Sequence, residues 1–186
     1  MRSPAFAFDL LVAALLTVLP PAASSLPAQT PPAQAAPVPP RCDTPDHRRF
    51  DFWVGDWNVT SDGQPVGTNL ITLEEAGCVV HEHWTGTEGG TGQSFNFYDR
   101  SDRRWHQWWV SNSGQVLDLA GTFADSTLTL RGGRRRPNGS TIMHRLAFRA
   151  NPDGSVRQLW ETSKDGGSTW EIAFDGLYRK KGAKKD

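Results

Sequence analysis

Residues 156–180 read VRQLWETSKDGGSTWEIAFDGLYRK. Two runs rich in β-branched and aromatic residues flank the octet SKDGGSTW at 163–170, which is a pattern typical of two strands and a turn. Gly166 and Gly167 can adopt positive φ, and Asp165 can accept hydrogen bonds from the backbone of its own turn. The stretch therefore predicts a β-hairpin.

The same octet also fits the pattern Ser-x-Asp-x-Gly-x-Thr-Trp, the Asp-box of sialidase propellers, which raises the question of a carbohydrate enzyme. A propeller repeats its blade several times around a ring. One copy of the motif in this chain cannot build that ring. We therefore interpret the octet as the turn of the last hairpin.

Turn signals of similar composition recur roughly every 8–15 residues upstream, among them SDG at 61–63, TEGGTG at 87–92 and NPDG at 151–154. The stretches between them are rich in Val, Trp, Phe, Thr and Leu, and none carries a sustained apolar stripe at helical spacing. This rhythm predicts an all-β fold, an antiparallel meander that closes into a calycin-like β-barrel of about 8–10 strands. A β-sandwich is the alternative. Thr44, Pro45 and Asp46 predict a short helical turn before the first strand.

The amino-terminal region has the composition of an export signal and a linker. Arg2, an apolar run at 10–19 and small residues at 22–24 predict a signal peptide over residues 1–24. Residues 25–41 are rich in Pro and Ala and predict an extended tether. A single barrel domain is then expected over 42–180, followed by a basic tail at 181–186.

This organisation predicts a secreted or periplasmic protein that is not an integral membrane protein after signal cleavage. Cys42 and Cys78 are the two cysteines of the chain, and in an oxidising compartment they are expected to form a disulfide. Basic and acidic residues balance at 20 each, so global charge gives no reason to expect a nucleic-acid partner.

Several segments resemble known proteins. Gly55-Asp56-Trp57 is similar to the Gly-x-Trp start of lipocalins and other calycin barrels, a resemblance that implies a cation–ring contact between Trp57 and Arg179 of the last strand. The chain also resembles a family of uncharacterised exported bacterial proteins of calycin-like fold in FDFWVGDWNVT at 50–60, GCVVHEHW at 77–84, GQSFNFYD at 92–99, RWHQWWV at 104–110 and residues 156–180. The resemblance implies a fold and a compartment and supplies no catalytic residues.

Strand residues alternate between two faces, so parity sorts the side chains of each predicted strand. Three strands place a tryptophan beside a carboxyl or amide group on one face, and a fourth combines Asn96 with Tyr98. If these faces meet inside a barrel, they form a small-molecule pocket with Arg145 as a further charged anchor. The predicted ligand-binding residues are Glu82, Trp84, Asn96, Tyr98, Gln107, Trp109, Arg145, Gln158 and Trp160. A core filled by these same side chains is the alternative.

The same predicted strands also carry candidate catalytic and metal-binding residues. Burial beside Trp84 would raise the pKa of Glu82, which could suit a general acid, but a glycosidase normally needs two carboxyl groups. A structural Glu82, bonded to Gln107, Asn96 or Arg145, is favoured. His81 and His83 share a face and could begin a metal site with His106, although two solvated histidines are the favoured interpretation.

The sequence thus predicts an exported small-molecule-binding β-barrel protein and identifies neither its ligand nor a cofactor nor an oligomeric state. An envelope enzyme that uses Glu82 as acid or base in the barrel cavity is one alternative. A structural or interaction module without a ligand is the other.

Overall fold

The computed structural model describes residues 42–182. The predicted signal peptide, the tether and residues 183–186 of the predicted basic tail lie outside the described residues. Among the described residues there is no long apolar helix of the kind that spans a bilayer.

The described residues form ten antiparallel strands that close into one barrel. Each strand pairs with the next one along the chain, and the last strand pairs with the first. The strands are β1 Gly55–Ser61, β2 Gln64–Glu74, β3 Val79–Gly86, β4 Thr91–Asp99, β5 Arg104–Ser111, β6 Val116–Ala124, β7 Thr127–Arg135, β8 Thr141–Ala150, β9 Val156–Ser163 and β10 Glu171–Lys180. The predicted closed meander is confirmed, and the β-sandwich alternative is wrong.

The segment before β1 fills one end of the barrel. It contains the predicted helical turn, α1 Pro45–Arg48, and a 3₁₀ turn at Asp51–Trp53. Phe50 and Trp53 are fully buried and stack with their ring centroids 5.0 Å apart. Phe50 also meets Phe148 of β8 edge to face at 5.1 Å. Because each fully buried aromatic or Leu side chain stabilises the fold by roughly 1.5–3 kcal/mol, this segment is an integral part of the core.

A disulfide joins Cys42 to Cys78, with the two Cα atoms 4.9 Å apart. It ties the start of the domain to the connection between β2 and β3. The Arg48 guanidinium donates a hydrogen bond to the carbonyl oxygen of Gly77 in that same connection. The predicted disulfide is confirmed.

The cation beside Trp57 differs from the expected one. Trp57 lies opposite Lys180 in the β1–β10 register, and Lys180 Nζ is 5.5 Å from the indole centroid. Arg179 lies opposite Asn58, on the other face of the sheet. The prediction of an Arg179 contact is therefore wrong because the register places the neighbouring residue, Lys180, over the ring.

The hairpin between β9 and β10 has the predicted turn. Asp165 Oδ1 accepts hydrogen bonds from the backbone N–H groups of Ser168 at 3.0 Å and Thr169 at 2.9 Å. The Thr169 hydroxyl donates to Asp165 Oδ2 at 2.6 Å, and these bonds hold the pKa of Asp165 well below its usual range. Gly166 and Gly167 have φ of 74° and 97°. The octet at 163–170 thus acts as a turn that is stabilised by its own aspartate.

Candidate functional site: a polar and aromatic cavity inside the barrel

The barrel interior contains a cavity of about 180 Å³ that opens to solvent. Inward-facing residues of β3, β5, β6, β8, β9 and β10 line it. They are Glu82, Trp84, Gln107, Trp109, Leu117, Leu146, Gln158, Trp160, Ala173, Phe174 and Tyr178. Six of these are predicted ligand-binding residues, namely the three pairs of a tryptophan with a carboxyl or amide neighbour on β3, β5 and β9.

Glu82 is the acidic group of this cavity, and its side chain is held by two donors. The residue is 4% exposed. Asn69 Nδ2 donates to Glu82 Oε1 at 2.7 Å, and the Ser94 hydroxyl donates to Oε2 at 2.6 Å. Ser94 lies directly opposite Glu82 in the β3–β4 register. The expected partners Gln107, Asn96 and Arg145 do not bond Glu82. Ser94, opposite Glu82 on β4, and Asn69, opposite Trp84 on β2, donate to its two oxygens instead.

Asn96 belongs to the same network but does not line the cavity. Its Nδ2 donates to the Val80 carbonyl oxygen at 3.0 Å and to Ser94 Oγ at 2.9 Å. A backbone carbonyl can only accept, so this bond fixes which atom of the Asn96 amide is the nitrogen. Asn96 Oδ1 then accepts from Gln107 Nε2 at 2.8 Å. Asn96 therefore sets the orientation of the Gln107 amide and leaves Gln107 Oε1 as an acceptor.

Gln158 and Tyr178 form a second polar pair in the cavity lining. The Tyr178 hydroxyl donates to Gln158 Oε1, which leaves Gln158 Nε2 as a donor. Burial, followed by the charge of Glu82, raises the pKa of Tyr178 well above its ordinary value. Tyr178 is thus a neutral phenol at physiological pH.

Glu82 has no counter-ion in the cavity. The described residues that line it include no Arg, Lys or His. Burial raises the pKa of Glu82 to about 7, and the hydrogen bonds from Ser94 and Asn69 act in the opposite direction. The carboxyl group is therefore poised near neutral pH between a charged form, which the network accommodates, and a neutral form, which burial favours.

Aromatic side chains form most of the remaining wall. Trp84 and Phe174 meet edge to face with centroids 6.0 Å apart. The Trp160 indole N–H donates to His144 Nδ1 at 3.1 Å, which orients its ring. Trp109 packs against Gly92 of β4, where a Cβ atom would come within 2.2 Å of the indole. Only a glycine at position 92 leaves room for the Trp109 ring where it is observed.

Parity did not reveal five lining residues. Leu117 and Leu146 follow the simple alternation of β6 and β8, a signal that was present in the sequence. Ala173 and Phe174 both line the cavity although they are adjacent in the chain. The β9–β10 register shifts between Ile172 and Phe174, and such an irregularity disrupts alternation. Tyr178 is the fifth of these residues.

Two predicted ligand contacts lie elsewhere. The Tyr98 hydroxyl donates to Asp46 Oδ2 at 3.4 Å, and its ring meets His47 of α1 edge to face. Arg145 makes a bidentate ion pair with Glu161 at 2.7 and 2.8 Å. Its guanidinium also lies 4.3 Å from the centroid of a Trp170 ring. The geometry places neither residue in the cavity lining.

The predicted metal-binding histidines are distributed over two clusters. Glu74, His81 and His83 each offer one ligand atom, and these three atoms lie within 4.8 Å of one another. His81 Nδ1 is 3.0 Å from Glu74 Oε1, a carboxylate that sequence spacing did not reveal. The structure does not bring His106 to them. His106 Nε2 instead lies 2.9 Å from Asp102 Oδ2.

Comparison of the sequence with models of known protein families finds no match, and comparison with curated proteins finds none either. The functional assignment therefore rests on the geometry of the cavity.

Proposed function

We propose that the protein is an exported binding protein whose barrel takes up a small, partly polar molecule. The observation that carries this proposal is the cavity itself. Glu82, Gln107 and Gln158 offer directed polar groups there, and the aromatic wall offers apolar contact. Aromatic walls with a few convergent polar groups are the composition of small-molecule sites.

The unsatisfied polar atoms of the lining argue against a core filled by its own side chains. Among the described residues, no hydrogen bond reaches Gln107 Oε1 or Gln158 Nε2, and neither atom is among the fully covered polar atoms that lack a partner. Both atoms are therefore accessible from the cavity, where a ligand or water can complete their bonds. An apolar cavity of roughly 150 Å³ holds a benzene molecule. A cavity of about 180 Å³ fits a ligand of one ring with a short substituent.

Three features support export. Residues 1–24 have the composition of a signal peptide. The Cys42–Cys78 disulfide is the form that cysteines take in oxidising compartments. The resemblance to exported calycin-like proteins agrees with both, and we assign the chain to the periplasm or the extracellular space.

Binding is favoured over catalysis in this cavity. Glu82 has a pKa of about 7, which suits general acid–base chemistry. Among the described lining residues, however, it is the single carboxyl group, and no cysteine, serine or histidine nucleophile accompanies it. Hydrolysis of chromogenic esters and glycosides that is lost in Glu82→Gln would instead favour the enzyme.

The test of binding is intrinsic fluorescence, because three tryptophans line the cavity. Purified protein is titrated with a panel of single-ring amines, alcohols and acids, and at least one compound is expected to give a saturable change. Trp109→Phe is expected to diminish that change. Trp108→Phe is the matched control, since Trp108 is the next residue on β5 and is 54% exposed on the outer face. The proposal is overturned if no compound of the panel produces a saturable response.

A further inference from the structure

The charge of the cavity is the first indication of what it binds. Both Glu82 oxygens accept hydrogen bonds, from Asn69 and from Ser94, an arrangement that stabilises a carboxylate. A buried carboxylate without a partner is costly. Arg145 cannot supply the partner, because it is engaged by Glu161 outside the cavity. A positively charged ligand group would supply the missing counter-charge.

The hydrogen-bond directions of the network point the same way. The chain of bonds from the Val80 carbonyl through Asn96 leaves Gln107 Oε1 as an acceptor. Each carboxylate oxygen of Glu82 also retains capacity for a second bond. The cavity therefore presents acceptors on two neighbouring side chains, which match the N–H donors of an ammonium group.

The aromatic wall favours the same charge. The faces of aromatic rings carry negative electrostatic potential and attract cations, Trp most strongly. Trp84, Trp109, Trp160 and Phe174 lie around the space above Glu82. Such rings accept both an ammonium group and the apolar body to which it is attached.

An anionic ligand finds no complementary group here. The described lining residues carry no Arg, Lys or His, and Glu82 would repel a carboxylate or phosphate. Ligands that bear a carboxylate or phosphate group are therefore disfavoured.

We infer that the preferred ligand is an organic cation, namely a protonated amine on an apolar body of about one ring, with its ammonium group between Glu82, Gln107 and the indole rings. This inference rests on the proposed binding function. It assigns Glu82 the role of charge-selective contact and Gln107 that of a neutral acceptor beside it.

The pH dependence of binding follows from the groups around Glu82. Asn69 of β2 and Ser94 of β4 do not titrate in the accessible range. Tyr178 of β10 stays neutral. His81 lies on the opposite face of β3, and its charge influences the pKa of Glu82 less than burial and the hydrogen bonds from Ser94 and Asn69 do. Since Glu82 must be ionised to pair with an amine and its pKa is about 7, amine affinity is expected to rise roughly 30-fold between pH 5.5 and pH 8.

The experiment uses three probes of nearly equal size, benzylamine, benzyl alcohol and benzoate, and measures each dissociation constant calorimetrically at pH 8. Benzylamine is expected to bind at least about tenfold more tightly than benzyl alcohol, and benzoate more weakly than either. Glu82→Gln is expected to remove the preference for amine over alcohol. Glu161→Gln, which changes a carboxyl group on the outer face, is expected to retain it.

Each result has a distinct meaning. If wild-type protein binds benzyl alcohol or benzoate as tightly as benzylamine, the inference of a cationic ligand is overturned while the binding function stands. If none of the three probes binds, and the wider fluorescence panel is also silent, both fail. The wild-type pH series needs no variant, and a flat benzylamine affinity from pH 5.5 to 8 would also overturn the charge-selective role of Glu82, even if Glu82→Gln fails to fold.

Discussion

Glu82 links stability to pH in a direction that is unusual for a carboxyl group. Its folded-state pKa of about 7 lies above the ordinary value of 4.5, so between these values the folded chain binds more protons than the unfolded chain. The stabilising contribution is present below the unfolded pKa and is lost as pH rises through 7. Because of Glu82, the free energy of unfolding of the wild type is expected to fall by about 3 kcal/mol between pH 4 and 8. Glu82→Gln is expected to abolish this fall. Urea unfolding of both proteins across this range measures it.

Glu161 is the matched control, because its pKa shift has the opposite sign. Its hydrogen bonds with Arg145 hold the pKa of Glu161 below the ordinary value. That contribution to stability is present at neutral pH and is lost as pH falls through the folded pKa. Glu161→Gln should therefore flatten the acid side of the profile and leave the slope between pH 6 and 8 intact. If the free energy of unfolding falls equally steeply between pH 6 and 8 in the wild type and in Glu82→Gln, the raised pKa of Glu82 is contradicted.

At the residue scale, strand parity predicted which side chains share a face of each strand, but not which face is interior or which residues become neighbours. The structure brings Glu82, Gln107 and Gln158 to one cavity with three tryptophans. Parity could not predict that Asn69 bonds Glu82, because that contact depends on the β2–β3 register. Parity also gives no depth along the barrel, so Tyr98 shares an orientation with Asn96 but lies at the end filled by α1.

At the scale of elements, the pairing of β4 with β5 determines the shape of the cavity. Gly92 of β4 leaves room for Trp109 of β5, and an added Cβ would meet the indole at 2.2 Å. Gly92→Ala is expected to push this ring into the cavity, weaken probe binding by at least about tenfold, and reduce stability by roughly 1–3 kcal/mol. Fluorescence titration and urea unfolding measure the two effects.

Gly90→Ala is the matched control for that substitution. Gly90 lies two residues before Gly92, in the turn that precedes β4, and has nothing within 4 Å of the added Cβ. Its probe affinity should equal that of the wild type. Equal affinities for Gly92→Ala and wild type would show that the Trp109 ring can move without closing the cavity.

The hairpins of the barrel were predictable because turn chemistry is local. Asp165 and the two glycines after it specify the last turn independently of how the flanking strands pair. The shift between Ile172 and Phe174 was not predictable, since nothing in EIAFDGLY separates a regular strand from a bulged one. The wall formed by Ala173 and Phe174 therefore appears only in the structure.

At the scale of the whole molecule, closure depends on the most distant pairing in the domain. β1 and β10 meet with Val59 opposite Tyr178 and Trp57 opposite Lys180. Turn signals predict the number of strands and their antiparallel order, and this number favours a closed barrel while leaving two packed sheets as the alternative. The choice of a barrel is made by the β1–β10 register and by Phe50 and Trp53 filling one end, contacts that no local pattern reports.

The Cys42–Cys78 disulfide closes a loop of sequence separation 36 and secures the segment that fills that end. Closing such a loop stabilises the folded chain by about 3–4 kcal/mol in the chain-entropy model. The variant with Cys42→Ser and Cys78→Ser is expected to lose this amount in urea unfolding, and reduced wild-type protein should match it. Probe affinity at low denaturant should persist, since neither cysteine lines the cavity. If binding is lost while the barrel remains folded, the filled end and the cavity are coupled through β3, whose first residue directly follows Cys78.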